Sequence, residues 1–169
     1  FIAVFKWNGG APWQRIFDFG RGTNSYAFLT PADANGKIRF AISPSGIASE
    51  EILEAAESTP VGTWTQAAVT TDGARGILYV NGSAVDTNAS MTLTAPDIAP
   101  TNVWFGRSQF PADPYFNGEI SSIRIFGRAL SADEIIAPQP RISAPAANSS
   151  YQPGETISFA GTATDFADE

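Results

Sequence analysis

Four tryptophans, four tyrosines and twelve phenylalanines carry most of the binding chemistry available to this 169-residue chain, because histidine and cysteine are both absent. Without histidine there is no imidazole base and none of the commonest neutral metal ligand. Without cysteine there is no thiolate nucleophile, no disulfide and no thiolate-bound zinc. A hydroxyl nucleophile paired with an imidazole is excluded as well. Any metal would be a hard cation bound through oxygen, and calcium is the first candidate. Glycoside hydrolysis needs two carboxylates placed about 5–10 Å apart across the bond. Glu50, Glu51, Glu54 and Glu57 form the acidic cluster of the chain, and it reads as a solvated edge. No catalytic residue is assigned.

Sugars are bound by aromatic faces against their C–H surfaces and by polar groups that meet their hydroxyls. Trp7, Trp13, Trp64, Trp104, Tyr26, Phe110, Tyr115 and Phe116 are the aromatic candidates. Trp64 and Trp104 fall within strand-like segments and are expected in the core. Trp13 and Tyr115 fall in or beside Gly- and Pro-containing loops. Gln14 and Arg15 adjoin the first, and Asp113 and Asn117 flank the second. For these two, core and site readings stand level.

The formal net charge is −7, and the ten basic residues are scattered. A phosphate backbone needs clustered Lys and Arg, so nucleic acid is not an expected partner. No apolar run is long enough for a membrane-spanning helix. Hydrophobic residues make up 43% and charged residues 16%, with 15 Gly and 12 Pro, a balance that suits an all-β chain with many turns. The chain opens on Phe1 inside an apolar run, without a signal peptide, and reads as a piece of a longer polypeptide.

The elements that would position these residues are short strands. Ile2–Trp7 alternates, with Ala3, Phe5 and Trp7 on one face and Ile2 and Val4 on the other. Strands are also expected over 14–20, 25–29, 37–43, 63–71, 76–80, 83–87, 91–94, 102–107 and 118–126. Along 37–43, Ile38, Phe40 and Ile42 face one way. Residues 50–57 fit either a strand or a short helical turn. Asn81-Gly82 is the strongest hairpin signal, since both central residues accept positive φ. Ser131 and Glu134 form a capping box, with Leu130 and Ile135 as its hydrophobic staple. Pro138 and Pro140 limit that helix to about two turns. About ten short strands and one trailing helix predict an antiparallel β-sandwich over residues 1–136. Residues 137–145 hold three prolines and read as a linker. Residues 146–169 alternate again through Ile157 and Phe159, as in the start of a second β domain.

Several segments resemble the laminin-G-like branch of the concanavalin A-like lectin/glucanase superfamily. They are Thr63-Trp64-Thr65-Gln66-Ala67-Ala68, Leu78-Tyr79-Val80-Asn81-Gly82 and Phe105-Gly106-Arg107-Ser108. The closing run is similar too, from Phe116-Asn117-Gly118-Glu119-Ile120 through Ile123-Arg124-Ile125-Phe126 to Arg128-Ala129-Leu130-Ser131. The opening, from Trp7-Asn8-Gly9-Gly10 to Phe17-Asp18-Phe19-Gly20, is similar to modules found beside bacterial glycoside hydrolases. Residues 141–169 resemble the start of a bacterial Ig-like or PKD-like domain.

The resemblance implies a concanavalin A-like jelly roll. It implies a non-catalytic carbohydrate-binding or accessory module of a secreted or cell-surface, multidomain bacterial protein, with a glycoside hydrolase as the expected parent. An adhesion or protein-interaction module and a ligand-free spacer are the alternatives, because this fold hosts all three. The Glu-x-Asp-x-x-Glu strand of the superfamily's glucanases is absent from the sequence. Trp13, Gln14, Arg15, Arg107 and Tyr115 are the candidate ligand-binding residues, with a polysaccharide or other glycan as partner. Laminin-G relatives hold a structural calcium at the sandwich rim, and Asn24 and Asp113 occupy the matching places here. Asp18 is a further acidic candidate, or an ion-pair partner of Arg15 or Arg124. Ser121 and Ser122 stand where relatives often carry a calcium-holding aspartate. Loops 8–14, 21–24 and 108–117 are expected to gather at one end of the sandwich.

Overall fold

The computed structural model describes residues 1–136, together with the backbone of 141–144 and 160–162. The chain divides into two units, Phe1–Ile135 and Ile136–Glu169. The first holds ten strands: β1 (Ile2–Trp7), β2 (Phe17–Gly20), β3 (Tyr26–Thr30), β4 (Lys37–Ser43), β5 (Glu51–Ser58), β6 (Trp64–Thr71), β7 (Gly76–Val80), β8 (Ser83–Asn88), β9 (Asn102–Phe105) and β10 (Gly118–Arg124). Short helices α1 (Ala95–Ile98) and α2 (Ala132–Ile136) and a 3₁₀ turn at Ile47–Ser49 complete it. In the second unit, β11 (Arg141–Ala144) pairs antiparallel with β12 (Ala160–Thr162). The alternating stretch through Ile157 and Phe159 lies outside the described residues.

Two antiparallel sheets form the sandwich, in the orders β10-β1-β6-β7-β8 and β5-β4-β3-β2-β9. The period-2 alternation of their strands sends one set of side chains inward. Ala3, Phe5 and Trp7 of β1 meet Phe17 and Phe19 of β2, Leu29 of β3, Ile38, Phe40 and Ile42 of β4, and Leu78 of β7 in one core. The outer face of the first sheet carries Ile2, Ala68 and Tyr79, a row set by register. Leu130 and Ile135 cover that row. The capping box places them there. The Ser131 N–H donates to Glu134 at 2.7 Å, and the Glu134 N–H donates back to the Ser131 hydroxyl at 3.3 Å.

Segment 50–57 resolves as strand from Glu51 onward, with Glu50 capping the 3₁₀ turn before it. Residues 91–94 do not form a strand. Thr94 opens α1, with its N–H donating to Asp97 at 2.7 Å and Pro96 in the first turn, a helix start that local chemistry favours over a strand. Met91 is buried instead as core filler. Trp64 is 46% exposed, outside the core, with Lys6 Nζ 5.4 Å from its ring centre. It sits at the first residue of β6 on the outer face, where no layer of the described residues covers it.

The β7–β8 hairpin turns through Asn81 at φ 49° and Gly82 at φ 82°, the pair of positive angles that a type I′ turn demands. Gly82→Val forces a β-branched side chain into that region and should cost about 1–3 kcal/mol. A melting temperature equal to the parent's would show that the turn relaxes freely.

Candidate functional site

Among the described residues, no α-helix covers the outer face of the second sheet. Its central row is fixed by register: Trp104 of β9 beside Asp18 of β2, then Phe28 of β3, Ala41 of β4 and Ile52 of β5. Two loops fold over this row. Residues 8–16 bring Trp13 and Arg15, and residues 106–117 bring Phe110 and Asp113. They meet at one end of the sandwich, where the Asn8 N–H donates to the Asn117 carbonyl at 2.9 Å.

Arg15 is the centre of this cover and is only 2% exposed. Its guanidinium lies 3.8 Å from the Phe28 ring centre. Nη1 donates to the Trp13 carbonyl at 2.6 Å, Nη2 pairs with Asp113 Oδ2 at 2.9 Å, and Nε lies 3.4 Å from Asp18 Oδ2. Asp113 also accepts from the Ser108 hydroxyl at 2.7 Å, which ties the loop into a compact turn. Arg39 of β4 points outward, as the alternation of Ile38, Phe40 and Ile42 requires. It pairs with Glu50 and lies 3.8 Å from Glu54. The Tyr26 hydroxyl donates to Glu50 at 2.7 Å. Glu50 is therefore no solvated edge residue. It caps the 3₁₀ turn just before β5, which sets it against Arg39, and pairing satisfies the charge.

Between these groups lies a cavity of about 230 Å³, lined by Trp13, Arg15, Phe28, Arg39, Ile47, Glu50, Phe110 and Asp113. Trp13 has φ 67°, left-handed backbone that a bulky side chain seldom adopts. Its N–H donates to the Ala32 carbonyl at 2.8 Å, and the Arg15 and Arg39 guanidiniums lie 5.8 and 5.7 Å from its ring centre. Strain of this kind collects at ligand clamps. A larger cavity, about 630 Å³, is lined by Phe1, Asp72, Pro96, Phe126 and Arg128 among others. Its Phe1 ring is stacked on Phe17 at 5.3 Å and is not presented to a ligand, so the smaller pocket is the better site.

Arg107 and Tyr115 are not in the Trp13 pocket. They line a neighbouring depression of about 200 Å³ with Trp104, sharing Phe110 and Asp113 with the pocket. Tyr115 is 72% exposed, and Arg107 lies 4.2 Å over the Trp104 ring. Gln14 faces neither cavity. It is buried, donating to the Gly9 and Ala11 carbonyls and accepting from Trp7 Nε1 and the Asn117 N–H, so it staples the two loops together.

Asn24 is not brought to Asp113. It lies in the β2–β3 turn, at the far end of β2 from Trp13, where its carbonyl accepts from the Gly46 N–H at 2.6 Å. The 106–117 loop reaches that turn through Gln109, whose side chain accepts from the Gly22 N–H at 3.1 Å. The loops therefore do not all gather at one end. Calcium takes roughly six to eight oxygens. Asp113 already faces the Arg15 guanidinium, which would repel the ion, and Asn24 is elsewhere. The residues at these two places do not fit a shared calcium.

Asp18 is 0% exposed and pairs with Arg15, not Arg124. Burial pushes its carboxyl up to about 6, against the opposing pull of the Gln109 N–H and Arg15. An unfolded chain releases this proton near pH 3.8. Between those values the unfolded state binds fewer protons, so stability falls as pH rises. From about pH 5 to pH 7 the loss should be about 1 kcal/mol. Denaturant unfolding at both pH values, on the parent and on Asp18→Asn, isolates this group. A difference between the two proteins that does not change with pH would refute it.

A model of the concanavalin A-like lectin/glucanases superfamily, laminin-G-like branch, matches residues 2–136. No curated protein sequence matches the chain. Among solved structures, domain 4 of the GH43 extracellular arabinanase AbnA from Geobacillus stearothermophilus, in complex with arabinotriose, superposes with TM-score 0.67 at 20% identity, over 80% of this chain and 63% of that one. The CBM40 of the Ruminococcus gnavus IT-sialidase, bound to α2,3-sialyllactose, gives TM-score 0.69 at 18% identity, over 80% and 78%. A putative carbohydrate-binding protein from Bacteroides ovatus gives TM-score 0.57 at 16% identity, over 80% and 38%. The two packed antiparallel sheets and the family match over 2–136 agree, and the chain belongs to the concanavalin A-like lectin/glucanases superfamily.

Proposed function

We propose that residues 1–136 are a non-catalytic carbohydrate-binding module of a secreted, multidomain bacterial protein, with a glycoside hydrolase as its parent. The observation that carries this reading is the strained Trp13 at the mouth of a pocket that combines aromatic and aliphatic walls with Arg39, Glu50 and Asp113. That mixture is what a sugar needs: apolar faces for its ring and fixed polar groups for its hydroxyls. The carboxylates that line the pocket, Glu50 and Asp113, are each bound by a guanidinium, and the pocket holds no other acid to complete a hydrolytic pair. The arabinanase domain in complex with arabinotriose and the sialidase module bound to α2,3-sialyllactose support the reading by analogy.

Affinity electrophoresis of the full chain through gels containing arabinan, xylan, pectin or mucin tests it. Retardation by at least one polymer, lost in Trp13→Ala, is the expected result, with no release of reducing sugar. Free migration in every gel, or enzyme-dependent sugar release, overturns it. An adhesion role finds its support in Val103, Phe105 and Ile125, each more than half exposed. Binding to a protein partner that Val103→Asp abolishes, with no glycan retardation, would favour that role.

A further inference from the structure

The ionic groups of the Trp13 pocket are arranged in a way that selects among sugars. Glu50 and Asp113 line the pocket and Asp18 is buried behind it against Arg15, so Arg15 and Arg39 meet three carboxylates with two guanidiniums. Glu54, beside Arg39, is shared with Lys37. Resting on the glycan-pocket reading, we infer that the site accepts a neutral sugar residue and rejects a carboxylated one such as a sialic or hexuronic acid.

Recognition of a carboxylate calls for a guanidinium free to fork onto it. Neither arginine here is free. Arg15 has Nη2 on Asp113 and Nη1 on the Trp13 carbonyl, and its side chain is 3% exposed. Arg39 has Nη2 on Glu50 and Nη1 towards Glu54. An entering carboxylate would have to displace one already in place, within a group of charges that is already net negative. Hydroxyls meet the opposite situation. An ionised carboxylate has about four lone-pair sites. Asp113 Oδ2 accepts from Arg15 and Ser108, and Glu50 accepts from Arg39 and Tyr26, so acceptor capacity remains on both. Trp13, and Ile47 at 69% exposure, supply the apolar walls for a sugar ring. The pocket therefore offers acceptors to hydroxyl donors and no unpaired cation to an anion. This separates it from its neighbouring depression, where Arg107 is exposed over Trp104.

The test is a glycan array followed by calorimetry on matched pairs that differ by one carboxylated residue. Lactose against α2,3-sialyllactose is one pair, and a neutral galactan oligomer against its galacturonate analogue is another, with arabinotriose as a further neutral probe. Both the parent chain and Arg107→Ala are measured, the variant removing the exposed cation next door. Neutral hits that bind at least about tenfold more tightly than their carboxylated partners, in both proteins, are the expected result. Glu50→Gln and Asp113→Asn each release a guanidinium, and at least one should narrow that gap by about threefold or more. Should one variant fail to fold, the other carries the comparison. Equal or tighter binding of the carboxylated partner overturns this inference alone and leaves the glycan-pocket reading standing. A gap unchanged in both variants also overturns it. No binding to any glycan removes the pocket reading and this inference together.

Discussion

Replacing Arg15 with alanine is expected to lower the folding stability of the sandwich by about 3–5 kcal/mol, the cost of leaving a buried charge without its partner. The charge left behind is Asp18, which is 0% exposed and accepts from the Gln109 N–H at 2.9 Å. Asp113 also loses its cation, and the Phe28 ring loses the guanidinium stacked 3.8 Å above it. Arg15 holds the Trp13 carbonyl and Asp113 together across the two loops that roof the pocket, so glycan binding should disappear with it. Arg15→Lys keeps the charge but not the planar fork, and should recover only part of the loss. The double change Arg15→Met with Asp18→Leu removes both charges and refills the volume with apolar atoms, and should be far more stable than Arg15→Ala. Urea unfolding of the three variants reads all of this. A loss below about 1 kcal/mol for Arg15→Ala would mean that solvent reaches Asp18 and screens it.

Strands such as β1 and β4 were legible because the residues facing the core alternate with others, so the period-2 pattern survives in the residues themselves. Ile38, Phe40 and Ile42 went inward, and that same pattern put Arg39 outward, where the pocket uses it. Asn81-Gly82 and the Ser131–Glu134 box were legible for another reason, since their chemistry is complete within a few residues. Residues 91–94 misled because Met91 and Leu93 alternate like a strand, while Thr94, Pro96 and Asp97 dictate a helix start. Glu50 was misread because its partners are distant in sequence. Tyr26 and Arg39 reach it only once β3, β4 and the 3₁₀ turn are in register. Gln14 and Arg107 sat beside the right aromatics in sequence but turn to other partners in space. Trp64 looked like core because strand aromatics usually are, yet it lies on the outer face of the first sheet, away from the row that Leu130 and Ile135 cover. Asn24 and Asp113 were not paired because Asp113 turns to Arg15, while Asn24 sits in the turn at the other end of β2.

Trp13 should show opposite dependences of stability and binding on what replaces it. Its φ of 67° lies where an L side chain is strained and glycine is not. Trp13→Ala and Trp13→Gly both delete the ring, leave the same space beside Arg15 and Arg39, and keep the N–H that donates to the Ala32 carbonyl. They differ in the Cβ alone. Glycine should therefore be the more stable of the two by about 1 kcal/mol, reversing the order seen in an ordinary strand or helix. Binding should not follow that order. If the ring is the aromatic wall of a sugar pocket, both variants should lose about 2 kcal/mol of binding free energy, roughly thirtyfold in Kd. Trp13→Phe keeps an aromatic face at the same strained position, so it should retain part of the affinity while gaining nothing in stability. Thermal melts together with calorimetry against the tightest neutral glycan give both readouts from one set of proteins. Alanine more stable than glycine would show that the backbone relaxes once the ring is gone, and that packing alone imposed the left-handed angle. Unchanged affinity in both would place the sugar outside this pocket, and the depression of Trp104, Arg107 and Tyr115 would take its place as the site to test.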